Sequence, residues 1–174
     1  MENREIGGEI RRYCPSCHFV FWGNSTISVG ALVIKNDRVL VVRRMKNPGK
    51  GKWTNPGGFV EQRENIETAV IREIVEETGI VAKVNKIVAI ADLPGKVRHD
   101  MYIVFLLDYV EGEPNPDGVE VDAAKFCTLE ELQHLEVANF TKRLIELALQ
   151  PNRDGFHLTE TSSNARTGYR LWAL

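Results

Sequence analysis

The most constraining feature of the sequence is an uninterrupted stretch from Asn65 to Thr78 that is typical of a helix. It contains no glycine or proline, and Ala, Glu, Ile, Val and Arg dominate it. Gly79 follows directly, where the end of a helix is expected. Ile71, Ile74 and Val75 fall within an arc of about 100°, which predicts that this side of the helix faces a core.

The same helix carries a dense group of carboxylates. Glu73, Glu76 and Glu77 are spaced i, i+3 and i+4, so they are predicted to lie together on the other side, where they repel one another. One interpretation is a solvated acidic face. The other is a divalent-cation site, because hard cations bind clustered carboxylate oxygens. The tight turn Pro56–Gly58 before the helix, and Arg72 within the acidic run, favour the cation site.

The spacing of these residues resembles the signature of the Nudix hydrolases, G-x5-E-x7-R-E-U-x-E-E-x-G-U, where U is aliphatic. Nine specified positions over 23 residues match without departure: Gly58, Glu64, Arg72, Glu73, Ile74, Glu76, Glu77, Gly79 and Ile80. The similarity covers roughly residues 26–150. Asn55 departs from the family pattern, in which an apolar residue is usual before Pro-Gly-Gly.

A coarse reading of periodicity gives alternating strands and helices without internal repeats. Strands are predicted at 28–34, 39–42, 82–92, 101–110 and 125–127, a loop at 48–58, and further helices at 129–132 and 140–149. The first two strands form a hairpin. The layout matches the α/β fold class that the resemblance implies, an α/β/α sandwich with a mixed central sheet.

Three segments are predicted along the chain. An N-terminal segment spans residues 1–25, the hydrolase domain spans 26–150, and a polar tail that ends in several aromatic residues spans 151–174.

The resemblance implies a magnesium-dependent enzyme, with manganese as an alternative metal. Glu73 and Glu77 are expected to be the main metal ligands, with Glu76 sharing a metal. The Gly58 carbonyl is expected to add an oxygen, and Glu64 to act on the metal or on its water.

Other candidate residues lie outside or beside the metal ligands. Arg72 is expected to orient a glutamate by a salt bridge. Arg43 and Arg44, at the end of a strand, are candidates for phosphate binding or are simply solvated. Glu120 is the preferred candidate for a general base, in competition with Asp117 and Asp122 or with a glutamate of the signature.

A Cys-x-x-Cys pair, Cys14 and Cys17, resembles half of the zinc ribbon found in some Nudix proteins. A closed structural zinc site needs four ligands. Cys127 belongs to a distant strand, and His18 is awkwardly placed beside Cys17. A degenerate ribbon without Zn²⁺ is therefore the preferred interpretation.

Composition limits the remaining possibilities. The net charge of −2 implies no general affinity for nucleic acid, and the longest apolar run, near 103–107, is too short to span a membrane. The polar N-terminus is unlike a signal peptide, and three cysteines do not suggest a disulfide scaffold, so a cytoplasmic protein is expected. A homodimer is possible.

The predicted function is hydrolysis of a nucleoside diphosphate linked to another moiety, with ADP-ribose or a related nucleotide sugar as the nucleotide-derived substrate. NADH and oxidised nucleoside triphosphates are alternatives. A further alternative function is a non-catalytic nucleotide sensor on the same fold. Such a sensor would tolerate the loss of signature glutamates, whereas this chain retains them.

Overall fold

The structure is a computed structural model that describes residues 1–95, 98–149, 154–161 and 170–173. Within these ranges the strands span Glu2–Ile6 (β1), Glu9–Tyr13 (β2), Val20–Phe21 (β3), Ser25–Lys35 (β4), Arg38–Arg44 (β5), Trp53–Thr54 (β6), Gly57–Phe59 (β7), Val81–Leu93 (β8), His99–Glu111 (β9), Val121–Cys127 (β10), His157–Thr161 (β11) and Arg170–Ala173 (β12). The helices span Ile66–Thr78 (α1), Leu129–Gln133 (α2) and Asn139–Ala148 (α3).

A mixed sheet forms the body of the molecule, with the strand order β10-β5-β4-β9-β8. The long strands β4 and β9 pair in parallel, whereas the other pairs are antiparallel. Two short strands within the segment predicted as a loop, β6 and β7, pair antiparallel with β5 and β4, respectively. The mixed sheet confirms the predicted fold class, and the apolar strand β9 lies inside the sheet between β4 and β8.

Alternation of side chains along the strands divides the core into two layers, because successive residues of a strand point to opposite faces. On one face Val29, Ala31 and Val33 of β4 pack with Ile74 of α1. On the other face Leu32 packs with residues of α2 and α3. The sheet therefore lies between α1 on one side and α2 with α3 on the other, which is the predicted sandwich.

Helix α1 begins and ends where the sequence predicts, but its buried face differs from the prediction. Asn65 is the N-cap and accepts a hydrogen bond from the Thr68 backbone N–H, and Gly79 ends the helix at φ 68°. Val75 is 44% exposed and is not a core residue, whereas Glu77 is only 6% exposed. The three glutamates therefore do not share one solvent-facing side, because Glu77 is buried and its carboxylate accepts the Gly57 backbone N–H.

The N-terminal segment forms a three-stranded antiparallel sheet, β1-β2-β3, that the sequence did not predict. Its strands are short and mostly polar, so they lack the apolar alternation that marks the strands of the central sheet. Cys14 and Cys17 lie in the turn between β2 and β3. Half of the predicted tail, residues 151–153, 162–169 and 174, lies outside the described residues.

Among the described residues, no helix is long and apolar enough to cross a membrane.

Candidate active site

An open, largely polar pocket of about 570 Å³ is bordered by the Gly57–Gly58 backbone and by Glu73 and Glu76 of α1. Its walls come from β4, β5, β6, β7, α1, β9, the loop before β10 and α3. The residues that line it are Ser28, Arg44, Thr54, Asn55, Gly57, Gly58, Phe59, Glu61, Glu73, Glu76, Tyr102, Glu120 and Phe140. Several predicted site residues are thus brought together, with additional residues that the sequence did not single out.

Arg72 binds three glutamates of the signature at once. Its Nε and Nη2 atoms donate to the two carboxylate oxygens of Glu64, at 3.1 and 2.7 Å. Its Nη1 atom donates to Glu73 and to Glu76, each at 2.9 Å. The hydrogen bonds from Arg72 hold the pKa of Glu64 below its ordinary value. Arg72 therefore holds three signature carboxylates by hydrogen bonds.

Glu64 lies behind this arginine and is not among the residues that line the pocket. Its carboxylate accepts the backbone N–H of Glu61 at 2.8 Å as well as the two bonds from Arg72. With its oxygens engaged in this way, Glu64 is placed to support Arg72 and not to contact a bound ion directly.

Glu77 is a buried carboxylate with little compensation. It accepts the backbone N–H of Gly57 at 2.9 Å. No Lys, Arg or His within the described part of the chain lies at ion-pair distance from it. Burial raises the pKa of Glu77 to about 7, and the negative charges of Glu73 and Glu120 act in the same direction. The pKa of Glu73 is also raised, chiefly by burial.

The turn before α1 requires glycine because the carboxylates pack directly on its backbone. A Cβ atom at Gly58 would collide with the carboxylate of Glu73. Gly57 has φ 150°, and a Cβ atom there would collide with the Val29 carbonyl on β4. The two glycines thereby let α1 approach β4 closely, so that Glu73 lines the pocket while Glu77, which is not among the lining residues, accepts the Gly57 backbone N–H.

Of the three acidic candidates near β10, only Glu120 lines the pocket. Its side chain is 57% exposed and forms an ion pair with Lys46 at 2.6 Å. Asp117 instead caps its own turn by accepting the backbone N–H groups of Val119, Glu120 and Val121. Asp122 is paired with Arg43 at 2.7 Å.

The two arginines at the end of β5 point in different directions, as neighbouring strand residues do. Arg44 lines the pocket, and its Nε atom donates to the Pro48 carbonyl at 2.9 Å. Arg43 is held by Asp122 and lies over the ring of Trp53, so it is not brought to the pocket.

A connected set of polar side chains also reaches the pocket, and the sequence analysis did not identify it. Asn55 is buried and donates from Nδ2 to the Tyr102 hydroxyl at 2.8 Å, and its Oδ1 accepts from the Thr141 hydroxyl at 3.1 Å. Thr141 in turn lies 2.9 Å from the hydroxyl of Thr54. The available signal was Asn55 itself, a polar residue at a position where the family pattern is apolar.

The donors of the carboxylate cluster suit a hard divalent cation, because they are anionic oxygens beside a backbone turn. As arranged, no three Asp, Glu, His or Cys side chains of the described ranges converge closely enough to hold a metal ion among them. Arg72 accounts for part of this, since it holds both Glu73 and Glu76. The uncompensated charge of Glu77 is the feature that a cation would satisfy.

The cysteine pair lies outside this pocket. The backbone N–H of Cys14 donates to the Phe19 carbonyl, and that of His18 to the Cys14 carbonyl, each at 2.9 Å. A hydrogen bond from the Cys17 backbone is the main cause of a lowered pKa at Cys14. Cys127 is buried in the core layer below α2 and α3, away from this turn.

Comparison with known proteins identifies the class of protein that this fold and site define. A family model described as the NUDIX domain matches residues 24–148. The chain belongs to the NUDIX family.

Two curated relatives resemble the chain in sequence. The ADP-ribose pyrophosphatase of Methanocaldococcus jannaschii is 38% identical over 111 residues, which are 63% of this chain and 65% of that protein. The NAD-capped RNA hydrolase NudC of Photorhabdus laumondii is 30% identical over 134 residues, which are 76% of this chain and 51% of that protein. The chain thus spans less than two thirds of the length of these relatives.

Solved structures share the fold. A NUDIX hydrolase from Nitrosomonas europaea superimposes with a TM-score of 0.72 at 24% identity, covering 83% of this chain and 82% of that one. A MutT NUDIX hydrolase from Burkholderia pseudomallei superimposes with a TM-score of 0.63 at 28% identity, covering 71% of this chain and 98% of that one.

Proposed function

We propose that this protein hydrolyses the diphosphate bond of a nucleoside diphosphate linked to another moiety, with Mg²⁺ or Mn²⁺ held by Glu73, Glu76 and Glu77. The observation that supports this most strongly is the buried carboxylate of Glu77, which has one backbone hydrogen bond and no cationic partner among the described residues. A buried charge of this kind is costly unless an ion compensates it.

Each residue of the pocket has a role in this proposal. A divalent cation supplies charge neutralisation of the diphosphate and activation of water. Arg72 holds the glutamates in place, and Arg44 binds a phosphate oxygen from the opposite wall. Glu120 accepts a proton from the attacking water, since it lines the pocket and is accessible.

ADP-ribose or a related nucleotide sugar is the proposed substrate. The relative from Methanocaldococcus jannaschii is an ADP-ribose pyrophosphatase, and Arg44 together with a divalent cation held by the carboxylates would suit a dianionic diphosphate. Hydrolysis of ADP-ribose adds one water across the diphosphate and yields AMP and ribose 5-phosphate.

A dinucleotide substrate of the NAD type is the second candidate. It is favoured by the similarity to NAD-capped RNA hydrolases and by the Cys-x-x-Cys turn between β2 and β3.

A substrate panel tests these proposals. ADP-ribose, a nucleotide sugar, NADH and an oxidised nucleoside triphosphate are each incubated with and without Mg²⁺, and the products are identified by mass spectrometry. We expect metal-dependent formation of AMP and ribose 5-phosphate from ADP-ribose, and its loss in the Glu77→Gln variant. Binding of nucleotides without any product on any substrate would favour the sensor interpretation.

A further inference from the structure

The polar side chains beside the carboxylate cluster form one continuous chain of hydrogen bonds. In order they are Thr54, Thr141, Asn55 and Tyr102, joined at 2.9, 3.1 and 2.8 Å. Asn55 and Thr141 are buried, and Thr54, Asn55 and Tyr102 line the pocket. A buried polar chain of this kind is costly unless every member is satisfied, so its arrangement is informative.

The direction of each hydrogen bond follows from groups that can only accept. The Pro56 carbonyl lies 3.3 Å from Nδ2 of Asn55, which places the amide nitrogen on that side and the amide oxygen toward Thr141. Because the amide oxygen can only accept, Thr141 must donate to it. Thr54 must then donate to Thr141.

At the other end of this series of hydrogen bonds, the hydroxyl proton of Tyr102 is not donated to any acceptor among the described residues. Its oxygen accepts from Nδ2 of Asn55, and among the described residues no protein acceptor is found for its O–H. Burial raises the pKa of Tyr102 to about 12, so the hydroxyl keeps its proton at neutral pH. A donor held in one orientation at the wall of a pocket is suited to a hydrogen-bond acceptor on a ligand.

The same wall of the pocket is aromatic. The rings of Tyr102 and Phe140 are 5.9 Å apart at an angle of 49°, and Phe140 is 49% exposed. Phe59 also lines the pocket and is exposed. Exposed aromatic rings in a polar pocket provide a surface on which a flat heterocycle can stack, whereas Arg44 and a cation held by the carboxylates would suit phosphate.

Space for this arrangement depends on Gly30 of β4. A Cβ atom at this position would collide with the hydroxyl of Tyr102 and with Nδ2 of Asn55. The absence of a side chain at Gly30 therefore allows the tyrosine and the asparagine to meet beside the pocket.

We propose that Tyr102 donates a hydrogen bond to an acceptor atom of the substrate's nucleobase, which stacks on Phe140, and that Asn55 positions the tyrosine for this contact. This inference rests on the proposed function, because it takes the carboxylate end of the pocket as the diphosphate site. Tyr102 is a specificity-determining residue, and Asn55 is a positioning residue that acts through it.

The test measures binding and not hydrolysis. Isothermal titration of the protein in the presence of Mg²⁺ with AMP, GMP, CMP and UMP, which have no diphosphate bond to hydrolyse, identifies the monophosphate that binds most tightly, and ribose 5-phosphate serves as the probe without a base. We expect Tyr102→Phe to weaken binding of that nucleotide about tenfold, the value of one good hydrogen bond, and to leave the affinity for ribose 5-phosphate unchanged. Tyr109→Phe is the matched control, since its hydroxyl donates to the Gly112 carbonyl and not to the pocket.

A second variant separates positioning from simple loss of structure. Asn55→Leu is expected to produce the same base-selective loss, and the double variant with Tyr102→Phe to lose no more than either single variant, because both remove one interaction. Equal weakening of nucleotide and ribose 5-phosphate would overturn the proposal, and so would unchanged nucleotide affinity in Tyr102→Phe or no nucleotide binding to the parent. Hydrolysis is assayed separately, so loss of turnover in Glu77→Gln with retained nucleotide binding distinguishes the two proposals.

Discussion

At the scale of single residues, the neighbouring glutamates of α1 differ in solvent exposure and in their ionic partners. Glu76 has a side chain that is 58% exposed, whereas the next residue, Glu77, is buried. One turn earlier, Glu73 is largely buried but is paired with Arg72. Within one and a half turns, glutamate thus occurs as an exposed charge paired with Arg72, as a largely buried charge paired with Arg72, and as a buried charge without a cationic partner among the described residues.

The uncompensated position gives the clearest test by mutation. Glu77→Gln preserves shape and the acceptor for the Gly57 N–H but removes the charge, so we expect turnover to fall by at least about a hundredfold with the fold retained. Initial rates and circular dichroism check this. Glu146→Gln, an exposed glutamate on α3, is the control. Turnover within about threefold of the parent would contradict the assignment of Glu77 to the metal site.

The pKa of Glu77 also predicts how the stability of the metal-free protein depends on pH. A carboxyl with a raised pKa in the folded state destabilises the fold as the pH rises from its ordinary value of 4.5 toward about 7. The loss is on the order of 3 kcal/mol, at 1.36 kcal/mol per pKa unit. Glu77→Gln should lack it, so the variant is expected to gain stability relative to the parent between pH 5 and pH 8. Urea unfolding at both pH values measures this difference, and equal pH dependence in the two proteins would refute it.

Hydrophobic periodicity predicted the wrong environment for two residues of α1, Val75 and Glu77. Val75 was assigned to the core with Ile71 and Ile74, and Glu77 was placed with the other signature glutamates on the opposite side of the helix, either as a solvated face or, preferably, as a cation site. In the structure the two are exchanged, because α1 turns toward the Gly57–Gly58 backbone and presents carboxylates there. Periodicity could not reveal this exchange, since it treats every buried position as apolar.

At the scale of elements, the segment before β10 determines which acidic side chain can act as a base. Asp117 is engaged by three backbone N–H groups, and Asp122 by Arg43, which leaves Glu120 with access to the pocket. We expect Glu120→Gln to lower kcat by about two to four orders of magnitude, with substrate affinity nearly unchanged. The pH–rate profile should lose its acidic limb, because protonation of this carboxylate would no longer limit the rate.

Two further variants test whether Asp117 or Asp122 is the general base instead of Glu120. Asp117→Asn and Asp122→Asn are measured alongside, and a large loss in kcat in either alone would move the role to that residue. Near-parental kcat and an unchanged pH profile in Glu120→Gln would show that a glutamate of α1 acts instead.

The N-terminal sheet leads to a prediction about zinc. Its turn supplies two thiols, Cys14 and Cys17, while Cys127 is buried in the central core. A closed structural zinc site needs four ligands, so we expect the purified protein to contain less than about half an equivalent of zinc. Elemental analysis with and without chelator treatment measures this. A stoichiometric zinc content would indicate that further ligands complete the site, for example across a dimer.

The five main strands of the central sheet and the helix α2 were predictable because apolar side chains are flanked there by clear turn or cap signals, whereas the short strands β6 and β7 of the same sheet were predicted as a loop. The hairpin of β4 and β5 turns at Asn36 and Asp37, both with positive φ, and α2 begins at Thr128 with a complete capping box. Strands β1 to β3 were not predictable, because they bury little surface and carry mostly polar side chains.

At the scale of the whole molecule, the pocket joins structures that are anchored on opposite faces of the sheet. Helix α1 carries Glu73 and Glu77 and is fixed by Ile74 in one core layer. Helix α3 carries Phe140 and Thr141 and is fixed by Leu144 in the other. The pairing of β4 with β9 connects the two layers. The site therefore has a carboxylate half and an aromatic half with separate anchors.

Separate anchoring predicts that core mutations on the two faces affect different steps. Leu144→Ala and Ile74→Ala each remove a side chain that is no more than 2% exposed, so each should cost about 2–5 kcal/mol in unfolding free energy. We expect Leu144→Ala to raise KM through α3 with little change in metal affinity. Ile74→Ala is expected to weaken metal affinity and lower kcat through α1. Urea unfolding, metal titration and steady-state kinetics at 15 °C, where both variants remain folded, measure the contrast. If two variants of equal stability showed identical changes in KM and kcat, the carboxylate half and the aromatic half of the site would be coupled as one unit. A general loss of rigidity would affect both kinetic parameters in this way.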